Sequence, residues 1–111
     1  MKIKKQDYND VTVVELHGEF LEEDCKNFQD TMIELIGRGR TGIVLDMSHV
    51  TIIDSKGLEQ LLWVRDYCHE NKSQLKVAGL EENIKKVLEI TRLDSKLDQY
   101  QELSEAVKSF T

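Results

Sequence analysis

Apolar and polar positions along this chain alternate between two rhythms, one of strands and one of helices. Ile3 to Gln6 reads as a short edge strand, and Asp7-Tyr8-Asn9-Asp10 as the turn after it. Val11 to His17 is β-branched and apolar, which predicts a central strand ended by Gly18. Leu21, Cys25, Phe28, Met32 and Leu35 then recur at helical spacing, while Glu22, Glu23, Lys26 and Asp30 fall elsewhere. That pattern predicts an amphipathic helix to about Ile36, with Glu22, Glu23 and Asp24 at the positive end of its dipole. Gly37 and Gly39 are its stop signals. Gly42 to Met47 carries the unalternating run Ile43-Val44-Leu45, which suits a parallel strand covered on both faces. Ile52-Ile53 brings the chain back to the core just before Asp54-Ser55.

A second helix is predicted from Ser55 to about Asn71, with Gly57, Leu61, Val64 and Cys68 as its core line. Trp63 lies roughly 135° from the centre of that line at 100° per residue, so it is expected to be solvent-accessible or held in an intermolecular contact, the alternative being partial burial against a neighbouring helix. Leu75 to Ala78 reads as another strand, stopped by Gly79. A third helix follows from Glu81 to about Thr91 through Ile84, Val87 and Leu88, then an extended segment near Leu97 to Tyr100. Ala106, Val107 and Phe110 fit the buried side of a terminal helix. This order predicts one α/β domain over residues 1–111, with a mixed central sheet and the helices mainly on one face.

Composition narrows the functions such a domain can have. The 111 residues carry a formal net charge of −6, and the basic residues are scattered. An acidic surface repels phosphate backbones and anionic lipid, so nucleic acid and membranes are not expected partners. The start MKIKK is followed by QDYND rather than an apolar stretch, so it does not read as a signal peptide. No run approaches the ~20 apolar residues that span a bilayer, and a cytoplasmic location is expected. Cys25 and Cys68 lie far apart on predicted helix core faces and read as reduced, buried thiols. Arg38-Gly39-Arg40 reads as a solvated turn.

No phosphate-binding glycine loop, dinucleotide fingerprint or HExxH occurs, and no cofactor is expected. His17, His49 and His69 show no metal-ligand spacing along the chain and read as ordinary surface or half-buried residues. Asp46, at the end of a strand, sits where an α/β sheet could place a phosphoacceptor carboxylate. The acidic doublet that would hold Mg²⁺ beside it is missing from the tip of the first strong strand, where Gly18-Glu19-Phe20 stands.

The informative stretch is Ile43 to Leu58: a buried strand, a loop dipping back into the core, then Asp-Ser at a helix start. Ser55 is a candidate N-cap, its hydroxyl accepting from a free N–H of the first turn. Gly57 costs the helix roughly 0.5–1 kcal/mol relative to alanine, so something must approach it closely, either the protein's own core or a partner. A purely structural reading makes Ser55 a cap and Gly57 a packing glycine. Asp46, Met47, Val50, Ile53, Asp54, Ser55, Gly57 and Leu58 together resemble the hallmark segment of the sulphate-transporter and anti-sigma-factor-antagonist (STAS) domain family. Leu16-His-Gly-Glu-Phe20 resembles the end of that family's second strand, and Leu93 to Ala106 its C-terminal region.

The resemblance implies a binding module without catalytic activity, switched by phosphorylation of Ser55. Its implied partners are an anti-sigma factor with a histidine-kinase-like serine kinase domain, and a serine phosphatase that reverses the change. It leaves a homodimer open. Asp54, Lys56, Gly57, Leu58, Glu59, Trp63 and Glu22 are the expected partner-binding residues, with no metal ligand among them. Three positions depart from the family pattern: Lys56 replaces a serine or threonine, Glu59 replaces a glycine, and Leu21 replaces an aspartate that the adjacent Glu22 would supply. The alternative is a STAS subunit that binds constitutively in another multiprotein complex, such as one for lipid transport, with Ser55 only a cap.

Overall fold

The computed structural model describes residues 1–110 and places the predicted segments around one mixed sheet. The strands are β1 (Lys2–Tyr8), β2 (Val11–Phe20), β3 (Gly42–Ile53), β4 (Gln74–Ala78) and β5 (Gln99–Tyr100). They lie side by side in that order, β1 antiparallel to β2 and every later pair parallel. The helices are α1 (Cys25–Gly37), α2 (Ser55–Glu70), α3 (Glu82–Ile90) and α4 (Leu103–Lys108). The α/β class and the mixed sheet are as the sequence predicts.

Alternation along the strands sorts the core into two layers. Val14, Leu16, Ile43, Leu45, Met47, Leu75 and Val77 face α1, α2 and α3, and all are buried. On α1 the buried residues are Phe28, Met32, Leu35 and Ile36, and on α2 Leu58, Leu61, Val64 and Cys68, the spacing of a helix with one apolar stripe. Val11, Val13, Val44 and Ala78 face the other way, under Ala106 of α4. Central strand β3 is therefore covered on both faces along Ile43–Leu45, which is why that run does not alternate. The short α4 covers one end of its face only. Among the described residues, no helix is long and apolar enough to cross a membrane.

Two elements differ from expectation, and both differences shape the functional end of the sheet. Gly18 does not end β2, which continues to Phe20. The stretch 48–53, expected to be a loop, is paired strand. The register between β2 and β3 shifts twice, between Glu15 and His17 and between Gly18 and Glu19. Each shift places an extra β3 residue opposite β2, the mark of a bulge. Gly18 takes φ of 109° there, a conformation a β-carbon would strain. The first predicted helix also starts later. Asp24 accepts from the Leu21 N–H at 3.0 Å and closes a 3-10 turn at Glu22–Asp24 before α1 begins.

Candidate functional site

The connection from β3 to α2 is built around the Asp54 carboxylate. Asp54, not Ser55, is the N-cap of α2: its Oδ1 accepts from the Gly57 N–H at 2.8 Å. Its Oδ2 accepts from the Glu22 N–H at 2.9 Å, tying the turn after β2 to the start of α2. The Asp54 N–H donates to the Phe20 carbonyl at 3.2 Å, and the Leu58 N–H donates to the Asp54 carbonyl at 3.0 Å. One residue thus holds two chain segments together and satisfies a free donor at the helix start. The expectation of Ser55 as cap is corrected: an aspartate one residue earlier, with two oxygens, reaches both donors.

Ser55 is the first residue of α2 and is exposed. Among the described residues its hydroxyl makes no hydrogen bond. The N–H groups of Ser55 and Lys56 have no acceptor within the helix, as at any helix start. Lys56 and Glu59 are exposed and form an i,i+3 ion pair at 3.7 Å. Glu22 is exposed and reaches the site through its backbone. Asp54, Asp24, Glu22 and Glu59 all lie close enough to Cys25 to raise its thiol pKa, after burial, the larger cause. The surface around Ser55 is therefore acidic, with Lys56 the cation next to it.

Gly57 and Leu58 turn inward. A β-carbon at Gly57 would stand 2.7 Å from Ile53 Cγ1 and 2.7 Å from the Phe20 carbonyl oxygen. The close approach that the glycine permits is to the protein's own core. Leu58 is buried in the main core cluster. Trp63 is half-buried, the outcome of the alternative reading rather than of full exposure. Its ring stacks on Tyr67, centroids 5.1 Å apart, and both pack against the core. Residues four apart on a helix are neighbours, and this pairing draws the indole down onto the helix surface. Trp63 still lies on the same flank as Lys56, Glu59 and half-buried Leu62, one to two turns beyond Ser55.

A family model for the STAS domain matches residues 2–106. The chain belongs to the STAS domain family. Solved structures agree in fold. A Thermotoga maritima protein, provisionally described as an anti-sigma factor antagonist, superposes with a TM-score of 0.89 at 22% identity, covering 96% of this chain and 92% of that one. The anti-sigma factor antagonist SpoIIAA of Bacillus, in its phosphorylated form, superposes with a TM-score of 0.76 at 15% identity over 99% of this chain and 100% of its own. A sulfate transporter family protein of Wolinella succinogenes gives 0.82 at 17% identity over 92% and 85%. At these identities the likeness establishes the fold, which STAS domains share across antagonists and transporters.

Two residues within the family-like segments take roles that the sequence did not assign to them. Phe20 presents the carbonyl against which Gly57 and Asp54 are seated. Asp46, weighed as a phosphoacceptor, is 8% exposed, and its Oδ1 accepts from the N–H and hydroxyl of Ser48 at 3.1 and 2.8 Å. The histidines are surface or half-buried, as expected, but two of them meet across the sheet. His17 and His49, on adjacent strands, stack with ring centroids 4.5 Å apart, beside Glu15. Their spacing along the chain hides a pairing that only the strand register creates.

Proposed function

We propose that this STAS domain is a phospho-switched interaction module of the anti-sigma-factor-antagonist type, with Ser55 as the acceptor. The observation that supports the reading is the freedom of the Ser55 hydroxyl: it is exposed, has no hydrogen-bond partner among the described residues, and is relieved of capping by Asp54. A serine serving as the cap would have its hydroxyl engaged with the first turn of the helix and so less available to a kinase. Here the modification leaves the fold's hydrogen bonds intact.

The docking surface is the start and outer flank of α2. Ser55, Lys56, Glu59 and the edge of Trp63 face outward on it, with Glu22 beside them. Asp54, Gly57 and Leu58 set its shape from beneath. A phosphate on Ser55 meets the free N–H groups of the helix start and the positive dipole end. Lys56 supplies a counter-charge if it leaves Glu59. The acids around it, Asp54, Glu22 and Glu59, repel it. A partner packed over Ser55 would meet about −1.5 to −2 added charges and their bulk. Modification therefore releases the partner while the domain stays folded.

The partner is the kind the family resemblance implies, an anti-sigma factor whose histidine-kinase-like domain phosphorylates serine, with a serine phosphatase restoring the docking form. The domain does no chemistry of its own in this scheme. The alternative is a constitutive STAS subunit of another complex, in which Ser55 would stay unmodified; with Asp54 as the cap, the Ser55 hydroxyl lacks the capping role that alternative gave it. Intact mass and peptide mapping of the protein purified from its own cell, under growing and stressed conditions, test the assignment. One phosphate on the Ser55 peptide is expected in a condition-dependent fraction. Phosphate on Asp46, or on no residue in any condition, contradicts it.

A further inference from the structure

The sheet face opposite α1, α2 and α3 is covered by α4 at one end only, and its open end carries a polar cluster unconnected with Ser55. Glu15 and His17 stand on the same face of β2, and His49 is the register partner of His17 on β3. One donor atom from each of the three residues lies within 4.8 Å of the other two. The two imidazoles are nearly parallel, at 21°. Among the described residues, His17 Nε2 is shut off from solvent and has no hydrogen-bond partner, though Glu15 Oε1 is 3.4 Å away. A shielded ring nitrogen with no hydrogen-bond partner is an uncompensated polar group, and such groups call for an explanation.

Asp46 and Ser48 determine which nitrogen His49 presents. The Ser48 hydroxyl lies 2.8 Å from Asp46 Oδ1 and 3.1 Å from His49 Nδ1. A carboxylate can only accept, so Ser48 donates its single proton to Asp46. Its oxygen is then left to accept from His49, which places the proton on Nδ1 and the lone pair on Nε2. This carboxylate–hydroxyl–imidazole chain is the kind of outer-shell support that orients a metal-binding histidine and selects its tautomer. Two imidazoles and one carboxylate suit Zn²⁺, Co²⁺, Ni²⁺ or Cu²⁺ rather than Ca²⁺ or Mg²⁺, which take mostly oxygen. Three protein ligands leave a fourth position for water. The exposed His49 can rotate by the ångström or so that closure on an ion at about 2.1 Å requires. Lys2, opposite His17 on β1, is exposed, and its long stem lets the ammonium move away.

We propose that Glu15, His17 and His49 form a binding site for one divalent transition-metal ion of the Zn²⁺ class, clamping β2 to β3 at their bulges. The test titrates tag-free protein with zinc chloride against a chromophoric chelator, and with cobalt chloride by visible absorption. One ion per chain is expected. His49→Gln, His17→Gln and Glu15→Gln should each weaken binding at least about tenfold, and Ser48→Ala, which touches no ion, by about tenfold. His69→Gln, on the surface, and Cys25→Ser, half-buried elsewhere, should bind as wild type does. Zinc should raise the melting temperature of wild type and not that of His49→Gln, whose exposed position makes a folding failure unexpected. Wild-type affinity in His49→Gln, loss of binding in His69→Gln or Cys25→Ser, or no stoichiometric binding to the wild type overturns the proposal.

Discussion

Replacing Gly57 by alanine tests how closely α2 is seated on the end of β2. In an unconstrained helix the change stabilises by about 0.5–1 kcal/mol. Here the new methyl would meet Ile53 Cγ1 and the Phe20 carbonyl oxygen, each at 2.7 Å, and Phe20 Cδ1 at 3.1 Å. The isoleucine can shift, but the carbonyl is main chain and accepts the Asp54 N–H at 3.2 Å. Moving it away from Gly57 disturbs that bond and the cap beside it. Overpacking of this kind costs about 1–3 kcal/mol, which exceeds the propensity gain. The net expectation is a loss of about 1–2 kcal/mol, read as a urea midpoint lowered by roughly 0.5–1 M. Gly37→Ala is the matched comparison. Gly37 is the exposed last residue of α1, and a β-carbon there meets nothing within 4 Å. That variant should equal or exceed wild type. If Gly57→Ala is as stable as Gly37→Ala, the close seating of α2 on Phe20 is wrong.

Asp54→Ala removes acceptors from the Gly57 and Glu22 N–H groups and should cost about 1–3 kcal/mol in urea unfolding, whereas Ser55→Ala, which removes no bond, should stay within about 0.5 kcal/mol of wild type. Lys56→Ala breaks an exposed ion pair only and should likewise change stability by less than about 0.5 kcal/mol. Burial raises the Cys68 thiol from an ordinary value of 9.0 to about 11, so the thiol stays neutral in the fold and ionises first in the unfolded chain. Its contribution to stability is full below about pH 9 and is lost as pH rises toward about 11; unfolding followed from pH 8 to 11 should show the decline, and a thiol reagent at pH 8 should label Cys68 only after denaturation.

Much of the architecture was legible because strand and helix rhythms are distinct in this chain. Ile43-Val44-Leu45 announced a strand covered twice, and Phe28, Met32 and Leu35 announced the inner face of α1. Residues 48–53 were not legible. Two bulges put Thr51 and Ile52 both at the surface, so the alternation that marks a strand fails where the strand bends. The capping residue was not legible either, because aspartate and serine are equal candidates on propensity. The tie is broken by the Glu22 N–H, which approaches from thirty-two residues away. The sequence showed that something crowds Gly57 but not what, and Trp63 looked free only because helical angle ignores the neighbour at Tyr67. The histidine pair depends wholly on register across β2 and β3.

The central claim is that the charge state of Ser55 decides whether the start of α2 can dock. The most direct measurement is the affinity of wild type, Ser55-phosphorylated protein, Ser55→Ala and Ser55→Glu for the proposed histidine-kinase-like ATPase partner, with a melting curve for each form. One unscreened like-charge contact near 4 Å costs about 4 kcal/mol at an effective dielectric of 20, and screening reduces it. The account predicts a loss of about ten- to a thousandfold on phosphorylation, a smaller loss for Ser55→Glu, undiminished binding by Ser55→Ala, and intact folds throughout. Equal affinities of the phosphorylated and unphosphorylated forms, with both folded, would contradict it.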